Sequence, residues 1–461
     1  MHGDKPWAVQ VEAMKRAEGH DRYGWHLDCG LGKSSLTFND YINDNDVDLM
    51  VVFAPNSFKL DWTQMPAEWG RPDVSSWVHP KAPPPFKEEI GVYAINYEAA
   101  RSGAFDGLEK LLATRKCMMV IDESTAIFNP QSQISKGVRA LAKLATKVRI
   151  LNGTPMVKSA MDYYSSLRCL GKINGMNPYQ FRNRYCVLGG FQGKQVIGVN
   201  PEREGELMEL LDSCSFRALK KDWRADLPPQ IVVDPTRLEM TPKQRRYYGE
   251  MLRQFRTMID SGLEITADMA LTQMGKLRQI SSCLAMQDGD VRFFEEAKDN
   301  PKIQAALDIH ESGYGKSLLV CVHVAVVDTL IDICTKRGYN PAFIRGSMKP
   351  EDLITQKDRF NNDPDCRTMI CQQAAACRGH TLVGGEGNDS CNKTVYVEND
   401  FSLYQRLQMN DRNYRGAQAE PCLIYDLVTS PIDEFVIDTL RKKQNMAERM
   451  DRLVLAVKST Y

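Results

Sequence analysis

A glycine-rich stretch near the amino terminus carries residues able to bind phosphate. Gly30 and Gly32 stand one residue apart and are followed directly by Lys33 and Ser34. Glycines let a backbone curl until several N–H groups point at one phosphate. A lysine can then reach the β- and γ-phosphates of a nucleotide, and a hydroxyl can bind Mg²⁺. The full loop pattern would also place a glycine at Leu27, so a glycine-rich turn that closes a strand stays open as the alternative.

An acidic pair, Asp122 and Glu123, follows an apolar run at 117–121 that is typical of a buried strand. In a motor ATPase the first acid holds Mg²⁺ through water and the second activates the attacking water. Asp-Glu pairs are common at strand ends, and the glycine loop upstream is what favours the catalytic interpretation. Gln10, which precedes that loop, has an amide that could read an adenine edge, although it could equally be a surface glutamine.

Two groups of basic residues could meet anions. Between 136 and 158 the chain has basic residues but no acid, and Lys136, Arg139, Lys143 and Lys147 recur at helical spacing. This face could contact phosphates or could simply be solvated. Further along, Arg412 and Arg415 lie three apart, on one face of an expected helix. Arginines there could stabilise charge on a γ-phosphate, or could belong to a salt-bridged surface helix.

The elements that would position these residues alternate between strands and helices. Strands are predicted at 48–54, 91–97, 117–121 and 148–151, and a second series begins near 317 and continues to 398. Such alternation predicts an α/β protein with parallel sheets and helices on both faces. The predicted domains are residues 1–160, a helical insertion or linker at 161–230, a second domain at 231–430, and a C-terminal helix at 431–461 that packs on the second domain.

Composition limits the compartment and the partners. The 461 residues include 59 basic and 59 acidic side chains, so a nucleic acid would have to be bound by local basic faces. Thirteen cysteines without a CxxC pair suggest reduced thiols in a cytoplasmic compartment. No apolar run is long enough to span a membrane. A zinc site could be drawn through Cys366, Cys371, Cys377 and His380, but their spacing lacks the usual knuckle.

The motifs together resemble those of superfamily 2 helicases, and among them the Swi/Snf-type translocases of double-stranded DNA. The resemblance is carried by 30–34, by the acidic pair, by Leu151-Asn-Gly-Thr-Pro155, by 217–220 with 227–228, by 379–382, and by the spacing from Gln408 to Gln418. It runs in order from Gln10 to the end of the chain. Two positions depart from the family pattern: Leu27 stands where relatives carry Asp or Ala, and the glycine of the last motif has moved to Gly416.

The resemblance implies two RecA-like domains, with a short helical insertion between them, that use ATP and Mg²⁺. The residues expected to act in catalysis are Lys33, Asp122, Glu123, Arg412 and Arg415. Those expected to bind ATP are Gln10, Gly30, Leu31, Gly32, Lys33, Ser34, Ser35 and Gln408. Mg²⁺ would be held by Ser34 and Asp122. Lys136, Arg139, Lys143, Asn152 and Thr154 would lie along or near bound DNA.

The expected function is that of an ATP-dependent motor that translocates on or remodels duplex DNA and works as a monomer. Unwinding of forked or single-stranded DNA and RNA-dependent ATP hydrolysis are alternatives within the same class. From a different class, the protein could be a binding module in which ATP only switches the conformation. Intact Glu123, Arg412 and Arg415 argue against that module.

Overall fold

The computed structural model describes residues 6–55, 58–79, 91–101, 105–154, 159–189, 195–260, 267–287, 290–377, 381–385, 387–415, 418 and 420–458. The chain divides into two compact units, one formed by residues 1–225 with 443–461 and the other by 226–442. No described helix is both long enough and apolar enough to cross a membrane. All thirteen cysteines fall within the described residues, where each is buried and free of disulfide bonds.

The first unit is built on a parallel sheet. The strands of this unit are β1 (Arg22–Leu27), β2 (Leu49–Ala54), β3 (Ser75–Val78), β4 (Gly91–Asn96), β5 (Cys117–Ile121), β6 (Lys147–Leu151), β7 (Cys186–Gly189), β8 (Gln195–Val199) and β9 (Ser215–Ala218). Of these, β7 and β8 form a separate antiparallel hairpin. The order across the sheet is β3-β4-β2-β5-β6-β1-β9, and every pairing is parallel. Since β6 alone separates β1 from β5, the segments that follow these strands meet at one edge.

Helices cover both faces of this sheet. They are α1 (Ala8–Ala17), α2 (Lys33–Ile42), α3 (Lys59–Glu68), α4 (Phe105–Thr114), α5 (Gln133–Ala142), α6 (Tyr164–Cys169), α7 (Pro178–Tyr185), α8 (Glu204–Asp212) and α9 (Lys220–Trp223). Alternate residues of β2 enter two different cores: Val51 packs in the core that includes Leu111 of α4, and Val52 in the core that includes Leu36 of α2. A strand with both sides buried needs a continuous apolar run, which is what β2 has.

The second unit repeats this design. Its strands are β10 (Gln230–Val232), β11 (Thr236–Arg237), β12 (Leu284–Gln287), β13 (Asp290–Phe293), β14 (Lys316–Cys321), β15 (Ala342–Ile344), β16 (Thr368–Gln372), β17 (Cys391–Tyr396) and β18 (Cys422–Val428). The parallel sheet has the order β10-β18-β17-β14-β16-β15, with β11 also paired to β18, while β12 and β13 form a separate hairpin.

The helices of this part of the chain are α10 (Pro242–Asp260), α11 (Ala267–Ser281), α12 (Pro301–Glu311), α13 (Val324–Lys336), α14 (Pro350–Asn362), α15 (Gln373–Ala376), α16 (Leu403–Asn410) and α17 (Pro431–Lys458). Leu318 and Val320 pack with Phe360 of α14, whereas Leu319 packs with Leu307 of α12 on the other face. The prediction of an α/β protein built on parallel sheets with helices on both faces is confirmed by these two sheets, while the RecA-like character of the two domains stays a prediction.

The division of the chain differs from the predicted boundaries in one respect. Residues 161–225 belong to the first compact unit, although 161–230 was expected to form an insertion or linker. The reason is β9, which adds to the edge of the first sheet by pairing Gly24 with Ser215 and Leu27 with Ala218. In the C-terminal helix, Ile432 packs in the second unit beside Tyr248, while residues 443–461 are grouped with the first.

Candidate active site

The glycine-rich segment forms a loop between β1 and α2. Gly30 and Gly32 have φ angles of 86° and 74°, in the left-handed region that favours glycine. Gly32 is the N-cap of α2, so Lys33, Ser34 and Ser35 form the first helical turn, where backbone N–H groups are free to bind an anion. Leu31 is fully buried and anchors the loop in the core.

Lys33 is held against its own loop. Its ammonium donates to the carbonyl oxygen of Leu27 at 2.7 Å and reaches that of Asp28 at 3.5 Å. The carboxylate of Asp28 is in turn fixed by the Arg217 guanidinium at 2.8 Å and accepts the backbone N–H of Lys220 at 2.8 Å. Edge strand β9 therefore stabilises the entry to the loop.

The acidic pair lies at the carboxyl end of β5, as the sequence predicts. Asp122 and Glu123 are 6% and 8% exposed. Glu123 has a φ of 49°, a strained angle for a residue with a side chain. Within the described residues, its buried Oε2 has no hydrogen-bond partner. A strained, unsatisfied carboxylate is typical of a residue that has a functional partner.

The electrostatics of the pair reflect burial and like charge. Burial, followed by the negative charge of Glu123, raises the pKa of Asp122 to about 7. Three influences oppose that rise: the hydrogen bond from the Trp62 indole, the positive charge of Lys33 and a hydrogen bond from the backbone of Glu123. Lys33 thus acts electrostatically on Asp122, which brings the phosphate loop and the acidic pair into one site.

A polar turn after β6 bridges the loop and the acidic pair. The Asn152 amide donates to the Ser124 hydroxyl at 2.9 Å, and its Oδ1 accepts the Thr154 N–H at 2.8 Å. A Cβ atom at Gly153 would lie 3.1 Å from the Cys29 sulfur and 3.5 Å from the Lys33 ammonium. The turn therefore packs directly on the loop, and a side chain at this position would require the Cys29 side chain to move.

Gln10 lies beside the loop, but its amide is used within the protein. It is 2% exposed, accepts the backbone N–H of Trp7 at 2.9 Å and donates to the Gly32 carbonyl at 3.3 Å. A Cβ at position 32 would lie 2.3 Å from the Gln10 amide nitrogen. Gln10 thus helps shape the loop, and its contact with adenine stays a prediction.

The oxygen atoms of this edge suit a hard divalent cation. Two buried carboxylates side by side, one with an unsatisfied oxygen, carry negative charge that Mg²⁺ would neutralise. Mg²⁺ usually takes one or two protein oxygens and completes its shell with phosphates and water, and Ser34 and Asp122 are the predicted ligands. No group of three or more His, Cys, Asp or Glu side chains in the described residues could hold a metal. The zinc alternative finds no support there, and His380 lies outside the described residues.

The basic face is only partly as predicted. Lys136 and Lys143 are exposed on and just after α5. Arg139 donates to the Ser165 hydroxyl and the Pro130 carbonyl and lies over the Tyr164 ring. Burial lowers the pKa of Arg139. Its guanidinium therefore holds α5 to the segments around it. Lys147 belongs to β6, not to the helix, and pairs with Asp44.

Asn152 is fully buried, so its observed contacts are internal, whereas Thr154 is half-buried. The prediction of a DNA contact is thus left to Lys136, Lys143 and Thr154. Pro155 of the same motif lies outside the described residues.

The two arginines of the second unit do not share a helix face. Helix α16 ends at Asn410, and the residues that follow form turns. Arg412 is 1% exposed and donates to the carbonyl oxygens of Gln408 and Cys377 and to the Gln408 side chain. Arg415 is half-buried and donates to the Asp411 carbonyl and the Thr381 hydroxyl.

The expectation that Arg412 and Arg415 lie on one helix face is therefore wrong, while their action on a phosphate stays a prediction. Helical spacing does not apply to a turn, and the two arginines instead contact Cys377 and Thr381. Gln408, predicted to bind ATP, is 2% exposed and engaged with Arg412. Gly379, His380 and Gly416, which belong to the same motifs, lie outside the described residues.

Sequence reasoning missed Trp62 and Tyr97, which hold Asp122, and Asp28 with Arg217, which hold the loop. Trp62 could have been suspected, since a buried indole needs an acceptor for its N–H. The pair of Asp28 and Arg217 could not be found from local sequence, because the two residues lie far apart along the chain.

Comparisons with known proteins place the chain in a family. The sequence model of the SNF2-related domain matches residues 38–286. The DNA repair and recombination protein RAD54-like of Drosophila persimilis is 24% identical over 401 residues, covering 77% of this chain and 48% of that protein. The TATA-binding protein-associated factor MOT1 of Saccharomyces cerevisiae is 22% identical over 423 residues, covering 79% of this chain and 22% of MOT1.

The chain spans about half the length of the RAD54-like relatives that it matches. Among solved structures, the Sulfolobus solfataricus SWI2/SNF2 ATPase core in complex with dsDNA is 20% identical, with a TM-score of 0.43, covering 98% of this chain and 95% of that one. The match to the family model extends over more than half of the chain. This protein belongs to the SNF2-related domain family.

Proposed function

We propose that this protein is an ATP- and Mg²⁺-dependent motor that hydrolyses ATP in response to duplex DNA and translocates on or remodels it. The observation that carries the proposal is the single edge of the first sheet, where the loop of Lys33 and the pair of Asp122 and Glu123 are joined by the Asn152 turn. Membership of the SNF2-related family supports the same activity. The relatives named for DNA repair and recombination support DNA as the partner.

Each residue of this edge has a role that its position permits. The first turn of α2 and the Lys33 ammonium would bind the β- and γ-phosphates. Lys33 would exchange its contact with the Leu27 carbonyl for a phosphate oxygen. Ser34 and Asp122 would hold Mg²⁺, which neutralises the charge that develops on the transferred phosphoryl group.

Glu123 is the residue that would activate water. Its Oε2 has no hydrogen-bond partner among the described residues and can accept a proton from a water molecule. The left-handed backbone at Glu123 turns the chain immediately after the strand. Since strain of this kind persists only where the surrounding structure fixes it, the backbone that carries this carboxylate is held in one conformation before substrate binds.

In the second unit, Arg415 is the better candidate for a cation that acts on phosphate. It is half-buried, whereas Arg412 is enclosed by Gln408 and Cys377.

A monomeric state and a cytoplasmic location remain predictions. Strand unwinding, activation by RNA, and ATP-gated binding without hydrolysis remain the alternatives.

The test is steady-state ATP hydrolysis with linear duplex DNA, single-stranded DNA, RNA and no nucleic acid. Glu123→Gln serves as the catalytic variant, and Glu18→Gln, at an exposed position in the same unit, is the matched control for charge removal. The proposal expects stimulation by duplex that is lost in Glu123→Gln and kept in Glu18→Gln. Stimulation by RNA or by single strands alone would change the assigned partner. Absence of hydrolysis under every condition would overturn the motor function and favour the binding module.

A further inference from the structure

Trp62 makes a direct polar contact with the hydrolytic site. This tryptophan of α3 is 2% exposed, and its indole N–H donates to Oδ2 of Asp122 at 2.9 Å. An indole nitrogen can only donate, so a buried tryptophan requires an acceptor. Here the acceptor is the acid predicted to organise Mg²⁺, and the contact connects α3 to the end of β5.

The backbone of Asp122 is also held, by residues of the core on the other face of the sheet. Its N–H donates to the Phe53 carbonyl at 2.8 Å, and its carbonyl accepts the Tyr97 hydroxyl at 2.6 Å. Phe53 belongs to β2, the neighbour of β5, and Tyr97 directly follows β4. With the main chain fixed, the remaining freedom of Asp122 is rotation of its side chain, which the indole restricts.

We propose that Trp62 is a positioning residue of the hydrolytic site: its indole N–H occupies Oδ2 of Asp122 and thereby orients Oδ1 toward the Mg²⁺ that accompanies the nucleotide. The inference rests on the proposed function. Groups that hold a metal ligand in place commonly change metal affinity or activity by about 10- to 100-fold when they are removed. Without the indole, the Asp122 carboxylate would lose its rotational freedom only when Mg²⁺ binds. The hydrogen bond from Trp62 restricts that rotation beforehand.

The competing account is that Trp62 only fills the core. It does pack in the apolar cluster that includes Trp25 and Met65. A purely packing role would be satisfied by an aromatic ring of similar size, and the loss of the N–H would then alter stability but not the response to Mg²⁺. The test must therefore separate the N–H from the ring.

The first measurement compares Trp62→Phe with Trp69→Phe, since Trp69 follows α3 directly and packs on the edge of Phe38. For Trp62→Phe we expect the Mg²⁺ concentration for half-maximal ATP hydrolysis to rise roughly 10-fold. We expect kcat to fall, while KM for ATP at saturating Mg²⁺ stays within about 2-fold. Trp69→Phe should match the wild type in all three values. An unchanged Mg²⁺ dependence in a folded, active Trp62→Phe protein would overturn the inference.

A second measurement needs neither nucleotide nor activity. The chain has six tryptophans, and ¹H–¹⁵N spectra report each indole N–H separately once Trp62→Phe has identified the Trp62 signal. In Asp122→Ala the acceptor is gone while Trp62 remains, so its indole proton should shift upfield and exchange faster with solvent. An unchanged Trp62 signal would refute the contact, even if Trp62→Phe proved too unstable for kinetics. If the wild type did not hydrolyse ATP but the signal moved, the proposed function would fail and the contact would stand.

Discussion

Removing Arg412 should destabilise the second unit far more than removing Arg415. The guanidinium of Arg412 is 1% exposed, and its hydrogen bonds within the described residues include those to the Gln408 carbonyl at 2.9 Å, the Cys377 carbonyl at 2.8 Å and the Gln408 side chain at 2.5 Å. Arg412→Ala would leave these acceptors buried without a donor. Breaking a buried charged network in this way costs about 3–5 kcal/mol.

Arg415 is only half-buried, and its hydrogen bonds to the Asp411 carbonyl and the Thr381 hydroxyl are partly solvated. Its replacement by alanine should cost about 1 kcal/mol. For a domain of 150–250 residues, 1 kcal/mol lowers Tm by about 2–4 °C. Arg412→Ala should therefore lower the Tm of the second unit by about 6–20 °C, against about 2–4 °C for Arg415→Ala.

Differential scanning calorimetry measures both shifts, and ATP hydrolysis is then compared at a temperature where every variant is folded. We expect Arg415→Ala to lose DNA-stimulated hydrolysis while remaining stable. An Arg412→Ala protein with a wild-type Tm and no hydrolysis would refute this reasoning and restore Arg412 as a catalytic group. An equal fall in Tm for the two variants would show that Arg415, although half-buried, contributes as much to stability as Arg412 does.

Three further outcomes are expected. Gly32→Ala should abolish binding of a fluorescent ATP analogue, because the new Cβ would lie 2.3 Å from the Gln10 amide nitrogen and the residue would have a φ of 74°. The control is Gly70→Ala, which has a φ of 61° but lies in open space and should bind the analogue normally. Lys136→Ala should reduce the slope of log affinity against log salt for duplex by about 0.9, and Arg139→Ala should lower Tm without changing that slope. Burial lowers the pKa of His310 from its ordinary 6.5 to about 4. The unfolded chain then binds the proton more readily, so stability present above pH 6.5 is lost as pH falls toward 4, by about 3 kcal/mol. His310→Gln should flatten this dependence in urea titrations.

The strands that could be predicted from the sequence are those made of continuous apolar runs. Strands β2 and β5 are buried on both faces, so they have no polar residues and were evident. Strand β9 was missed because it carries Arg217, a charged residue whose burial is explained only by Asp28 far away in the sequence. Strand β1 was hidden for a similar reason, since its glycine and histidine are buried by the place of β1 between β6 and the edge strand β9.

The arginines near residue 412 show a different limit. Spacing of three residues predicts a shared face only if the helix continues, and α16 ends at Asn410. The turn beyond it is stabilised by hydrogen bonds to Cys377 and Thr381, which belong to a segment more than thirty residues earlier. Arginine type and spacing could not distinguish a guanidinium held by carbonyl oxygens from one that is available to phosphate.

Gly153 shows what the sequence pattern encodes at the site itself. The phosphate loop is determined by local spacing, because Gly30 and Gly32 supply the left-handed backbone that the turn requires. Gly153, which follows strand β6, packs against that loop. A Cβ at position 153 would approach the Cys29 sulfur to 3.1 Å and the Lys33 ammonium to 3.5 Å. A glycine in a polar turn is ordinary in sequence, and only its neighbours in the fold distinguish Gly153. A Cβ here would push on the Cys29 side chain, and the same closeness places the loop of Lys33 beside the turn that contacts Ser124, the residue after the acidic pair.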